Sequence, residues 1–389
     1  MASVLTTRRA VKAAAGGRQV DAAAPRHHVD FALIGSVLLL SSFGVLMVFS
    51  ATRHRDDPSG LGHNYYYLQR QGLFVVIGIG VMAVTALVSY RAIRDFAALI
   101  YVGTILILAA VLSPLGSNSK GAQAWIQLGS FQLQPSEFAK IGVIVSLAAY
   151  CSAHHGELHF SRFVNVVLIA AFPMLLVQAQ PDLGTNLVFG AILVAVLLVA
   201  GVRARHLLLL AMLGIVAAVA VVQLGILQKY QLDRLTNFVN PTADVKGSTY
   251  NLDQSKTTIG SGGVLGKGLF DGQQTNLAYV PEQHTDFIFT AVGEQLGLVG
   301  SAALLAVFAL FVWRIWRTAT LAKDLAGTLI CVGVLAMVVF QIFENVGMTM
   351  GIMPVTGIPL PFLSYGGSST LATFAGAGLV LNVHMRRFR

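Results

Sequence analysis

The chain has 389 residues, of which 55% are hydrophobic and only 11% charged, against the roughly 25% charged that a soluble domain carries. A mean hydropathy of +0.71, spread over most of the length, excludes a water-soluble body with a single anchor or cleaved leader. The formal net charge of +9 does not point to nucleic acid, because the basic residues are scattered in short loops and not clustered with aromatics on one face.

Residues 1–29 are Ala- and Arg-rich with no apolar run, and read as a solvated, disordered cytoplasmic tail ahead of a signal anchor. A bilayer core of about 30 Å takes about 20 apolar residues per helix. Runs of that kind fall near 31–51, 71–90, 94–113, 137–153, 163–179, 183–201, 206–225, 285–313, 325–351 and 368–385. The chain is therefore expected to be an all-α multi-pass membrane protein of about ten spans. Assigning its loops alternately to two sides puts 16 of the 26 basic residues on one side, nine on the other and Lys140 inside a span. The richer side is expected to be cytoplasmic and to hold both termini. That parity makes 226–284, before the eighth span, a large extracytoplasmic loop able to carry structure of its own.

An ionisable side chain in a span is costly unless it faces a partner or a cavity, which makes each one a functional candidate. They are Glu137, Lys140, Asp182, Asp286, Glu294 and Glu344. All but Glu344 lie near outward span ends, as a cavity opening outward requires. Glu137 and Lys140 stand at i, i+3, so an internal ion pair competes with a role at a site. Asp182 follows Pro181 and opens a helix, so capping competes with substrate or cation binding. The densest acid/base cluster is Glu282, His284, Thr285 and Asp286, followed by Glu294 further into the same span. Helix capping explains Thr285 and Asp286 but neither His284 nor Glu294.

Cys151 and Cys331 support neither a disulfide framework nor a thiolate metal site. His155 and His159 stand at i, i+4 in a loop, and no other group has ligand spacing, so no transition-metal site is expected. The Gly260–Gly268 loop departs from a phosphate-binding P-loop, with Ser261 where its first Gly belongs and Gly268 in place of the Ser/Thr. Its amides, with Lys256 and Lys267 near, can still cradle an anionic lipid head group. Prolines 354, 359 and 361 with Gly366-Gly367 forbid a continuous helix between the last two spans. Broken backbone at membrane depth is tolerated only beside protein or a water-lined cavity, so a re-entrant segment next to the site is expected.

Several blocks together resemble the SEDS family (shape, elongation, division and sporulation proteins), of the RodA/FtsW type. They are Gly121–Ile126 with Gln134-Pro135-Ser136-Glu137 and Lys140, Gln180–Thr185, Gln254-Ser255-Lys256 leading into the Gly-rich loop, Pro281-Glu282, His284–Phe287, Glu294 with Leu296-Gly297, and Pro354–Ser369. The resemblance runs from about Asp30 to the C-terminus and makes 30–389 one polytopic domain. It implies a peptidoglycan glycosyltransferase that polymerises lipid II at the outer face of the plasma membrane, beside a class B penicillin-binding protein and among membrane lipids.

Carried onto this chain, the resemblance makes Asp286 the catalytic carboxylate. Trp125, Glu137, Lys140, Asp182, Lys256, Lys267, His284, Glu294, Ser364 and Ser368 fall in its motif blocks and are the candidate substrate-cavity residues. One departure is Ala124, where the family commonly has Arg before the Trp. The short end Arg386-Arg387-Phe388-Arg389 favours an elongation role of the RodA kind over division. Charge on the leaving diphosphate falls to Lys140, to the loop amides, or to a divalent cation (Mg or Mn) arriving with the substrate. A lipid II flippase or a non-catalytic scaffold would use the same spans, but acidic groups near outward span ends suit catalysis better than a path across the midplane.

Overall fold

The computed structural model describes residues 28–54, 65–114, 116–119, 122–129, 131–156, 159–225, 232 and 248–388. The expected N-terminal tail up to residue 27 and much of the 226–284 loop lie outside them. The helices are α1 (Phe31–Thr52), α2 (Tyr66–Leu87), α3 (Tyr90–Asp95), α4 (Ala97–Leu112), α5 (Pro135–Ala153), α6 (Phe160–Ala179), α7 (Leu183–Val199), α8 (Ala204–Gln223), α9 (Ser248–Ser261), α10 (Gln273–Asn276), α11 (Ile288–Leu321), α12 (Leu325–Met350) and α13 (Gly367–Met385). Each of the ten apolar runs is a helix. Among the described residues, seven helices are long and apolar enough to cross a membrane, with α4 and α7 shorter. The tenth, α13, carries polar residues in its first turns.

Side chains set several helix starts. Asp30 accepts from the Leu33 amide at the head of α1, Asp324 from Gly327 at the head of α12, and Pro135 fits the first turn of α5, where its missing N–H costs nothing. Gly351, at φ 77°, ends α12 in the left-handed conformation that glycine adopts without strain. Apolar side chains such as Leu39, Val76, Leu99, Leu106 and Leu175 point outward, the surface a hydrocarbon solvent accepts. At the end of the bundle opposite Asp286, Asp30 also accepts from Arg314 at 2.6 and 3.0 Å, tying α1 to α11.

Two features depart from the sequence reading. A three-stranded antiparallel sheet, β1 (Gly116–Ser119), β2 (Ala122–Leu128) and β3 (Phe131–Leu133), fills the connection between α4 and α5. Composition concealed it, because its strands are short and rich in Ser, Gln and Asn. The second departure is a break in α11 at Gly297 (φ 63°, ψ −162°). A break strips the next amides of their i−4 acceptors. The Gly-rich loop supplies substitutes: Leu298 and Val299 donate to the Gly263 and Val264 carbonyls at 3.0 and 3.1 Å. In exchange, the abandoned Glu294 and Gln295 carbonyls accept from Lys267 and Gly268 at 3.0 and 3.1 Å.

Candidate active site

The acids Asp286 and Glu344 flank one stretch of broken backbone, Thr356-Gly357-Ile358, between α12 and α13, and Gly184, two residues after Asp182, packs against the same stretch. Asp286 ends the turn before α11, whose first residue is Ile288 and whose N-cap, Phe287, makes no side-chain cap bond. The N-cap position is therefore neither Thr285 nor Asp286, and the eighth span begins three residues later than the hydropathy pattern predicts. The reason is local: Thr285 spends its hydroxyl on the Glu282 carbonyl, and the Asp286 amide donates back to the same oxygen.

The backbone of Asp286 is fixed from α12. The Asn345 side-chain amide donates to the Asp286 carbonyl and to the Ile358 carbonyl, each at 2.8 Å. Between Ile358 and Thr356, Gly357 sits at φ 77°. A Cβ there would lie 3.3 Å from Asp286 Oδ2, so this carboxylate lies directly over bare backbone. One residue before Asn345, the buried Glu344 accepts from the Thr356 hydroxyl at 2.9 Å. The structure thus contains the expected break and sets it against the acid at the mouth of α11.

Asp182 heads α7, the helix that carries Gly184. Its Oδ1 accepts from the Thr185 amide at 2.9 Å, capping α7, and its Oδ2 accepts from the Thr185 hydroxyl at 2.7 Å and from Gln134 at 3.3 Å. Of its two readings the structure contains the cap. Lys140 Nζ stands 2.7 Å from Glu137 Oε1, with both side chains almost fully buried in α5. The internal ion pair therefore exists, and it leaves Glu137 Oε2 without a partner among the described residues.

The chain matches the family described as a cell cycle protein (FtsW, RodA and SpoVE) over residues 31–388. It belongs to the SEDS family. It is 36% identical to stage V sporulation protein E of Bacillus subtilis over 91% of this chain and 96% of that one. It is 34% identical to the peptidoglycan glycosyltransferase MrdB of Escherichia coli over 92% and 94%. Among solved structures it is similar to a chain of a peptidoglycan synthase complex, with a TM-score of 0.78 at 30% identity over 92% of this chain and 98% of that one. It is also similar to the rod shape determining protein RodA of Thermus thermophilus, with a TM-score of 0.69 at 30% identity over 93% and 98%.

In this SEDS chain several of the other sequence candidates hold the architecture around the site. Glu294 accepts from the Gln274 amide (2.7 Å), the Thr275 amide (2.9 Å) and the Thr275 hydroxyl (2.6 Å), so both its oxygens pin α10 to α11. Ser364 Oγ accepts from the Leu360 amide at 2.8 Å inside the broken segment. Ser368 Oγ accepts from the Gln134 amide at 2.9 Å, joining α13 to the start of α5. His284 packs its ring edgewise on Tyr67 at 4.9 Å, and its carbonyl accepts from Tyr365 at 2.8 Å.

Five amides of the Gly-rich loop expected to form an anion cradle are spent within the protein. The amides of Gly262, Gly263, Gly266, Lys267 and Gly268 all donate to backbone carbonyls. Lys267 and Lys256 keep exposed side chains, and that of Lys256 lies across the α12 terminus at Gly351. Trp125 stands on β2 opposite Ser117. Sequence reasoning passed over Asn345, Thr356 and Gly357. The signal was an Asn directly after Glu344 in an otherwise apolar span, since two adjacent polar residues there demand partners.

Proposed function

We propose that this SEDS chain is a peptidoglycan glycosyltransferase that polymerises lipid II at the outer face of the plasma membrane, with Asp286 as its general base. The observation that carries this reading is the placement of the Asp286 carboxylate against Gly357. A part-buried acid sits where broken backbone leaves room, on an element fixed by Asn345. The names of relatives, including the glycosyltransferase MrdB, and the family match over nearly the whole chain support the same reaction.

The chemistry is one displacement. The Asp286 carboxylate takes the proton of an acceptor sugar hydroxyl as its oxygen bonds to the anomeric carbon of the donor, and the polyprenyl diphosphate leaves with the electron pair of the broken bond. General base catalysis of this kind supplies about 10²–10⁴-fold. Because the donor brings its own good leaving group, a second carboxylate of the glycosidase type is not required. Among the described residues no three His, Cys, Asp or Glu gather closely enough to hold a metal ion. A divalent cation travelling with the diphosphate is part of the substrate.

This reading places both termini in the cytoplasm, on the loop-charge argument. It takes a class B penicillin-binding protein as partner, supported by the likeness to a chain from a peptidoglycan synthase complex. Likenesses to proteins named for sporulation, for rod shape and as FtsW, all between 30 and 36% identical, do not separate elongation from division. The test is polymerisation by purified protein from lipid II supplied in detergent, where transbilayer transport is irrelevant. Wild-type protein forms glycan strands and Asp286→Asn does not. Strands formed by Asp286→Asn at the normal rate would remove Asp286 from the reaction, and no strands from wild type with its partner would favour transport or scaffolding.

A further inference from the structure

We propose that Glu344 is a positioning residue for the Asp286 carboxylate, acting through Thr356; the inference rests on the reading of Asp286 as the base. Glu344 lies well inside α12 with no exposed surface. Its Oε1 accepts from the Thr356 hydroxyl at 2.9 Å, and its Oε2 has no partner among the described residues. A carboxyl group buried in a span with a single hydroxyl for company is expensive, and an apolar residue would serve helix packing better. What it holds explains its presence. Thr356 is bonded directly to Gly357, the residue over which Asp286 Oδ2 lies.

The segment is held on two flanks. On one flank a Cβ at Gly184 of α7 would come 2.9 Å from Ile358 and 3.2 Å from the Thr356 carbonyl. On the other, Asn345 holds Ile358 and Glu344 holds Thr356, so two adjacent residues of one helix grip the backbone on both sides of Gly357. Asn345 sets the Asp286 backbone and the Ile358 side of Gly357; the Glu344 grip holds the Thr356 side and so completes the placement of Gly357 against the carboxylate. Releasing it lets the backbone withdraw or advance by a fraction of an ångström. Displacement of about 1 Å at a reacting group costs about 10²-fold in rate.

The experiment measures kcat and KM for lipid II polymerisation by full-length protein with its partner, for Thr356→Val, Glu344→Leu, the double variant, Thr356→Ser and Asp286→Asn. Each of the first two lowers kcat about 10- to 100-fold with KM changed less than about twofold. The double variant is no slower than the slower single, because one bond is lost in all three, and Thr356→Ser, which keeps the hydroxyl, regains most of the rate. Wild-type kcat in Thr356→Val, multiplying losses in the double, or losses confined to KM would each overturn the proposal. Where Glu344→Leu does not fold in detergent, the Val and Ser variants of Thr356 carry the same test. An inactive Asp286→Asn beside fully active Thr356→Val sinks the positioning role alone, whereas an active Asp286→Asn sinks the base.

Discussion

A single side-chain amide, that of Asn345, donates to the carbonyl of Asp286 and to that of Ile358, each at 2.8 Å. Two non-helical segments that are 72 residues apart in the chain are thereby held at a fixed separation. Both residues lie outside the helices, so the amide does for this junction what an i→i−4 ladder does elsewhere.

Asn345→Leu should therefore cost both stability and activity. Two carbonyls in a buried junction lose their donor, and each such orphan costs about 1–3 kcal/mol. The expected result is a thermal midpoint in detergent several degrees below wild type, with a polymerisation rate lowered more than about tenfold. An unchanged midpoint would show that water reaches these carbonyls freely and that the junction is not held by Asn345.

Gly357→Ala separates geometry from stability. At φ 77° an alanine pays about 1–2 kcal/mol for the left-handed conformation. Its methyl group would stand 3.3 Å from Asp286 Oδ2, desolvating one face of the carboxylate and filling the space above it. The protein should fold with a modest loss of stability and polymerise at least about tenfold more slowly. Purified Gly357→Ala with a normal rate would mean that this face of Asp286 is not used.

How much of this was legible beforehand differs from residue to residue. The ten helices were plain because 20-residue apolar runs have few alternatives in a bilayer. Asp286 stood out as an acid at a span mouth, and Glu344 as a charge at depth, because both are expensive there. Their relationship was hidden, since Asn345, Thr356 and Gly357 are individually ordinary and only the folded chain brings them together. Glu294 was visible in the sequence for the same reason, but its partners were not. An acid near the site need not face it, and this one spends both oxygens on α10.

The break in α11 predicts an asymmetric response to alanine. At Gly297, φ 63° and ψ −162° belong to a region nearly closed to residues with a side chain, and a Cβ would come 2.3 Å from the Gly266 amide nitrogen. Gly297→Ala should expel the Gly-rich loop from the helix ladder and cost about 3 kcal/mol or more, seen as loss of monodisperse protein in detergent. Gly80→Ala, in α2 with nothing within 4 Å of the new methyl, should leave the melting temperature level or slightly higher. Equal behaviour of the two variants would show that the loop does not rely on the break.

The Glu137–Lys140 pair allows its two readings to be separated. With Nζ and Oε1 2.7 Å apart and both side chains almost wholly buried, removing one partner strands the other charge, at about 3–5 kcal/mol. Lys140→Met alone should therefore be severely destabilised. Removing both charges in Glu137→Gln with Lys140→Met should recover much of that loss, because a neutral pair of similar volume no longer needs compensation. Polymerisation by the stable double variant then decides the matter. If the pair serves packing alone, the rate returns with the fold. If Lys140 instead offsets charge on the diphosphate, the double variant folds and stays slow, and adding salt to the wild type should weaken lipid II use in the same direction.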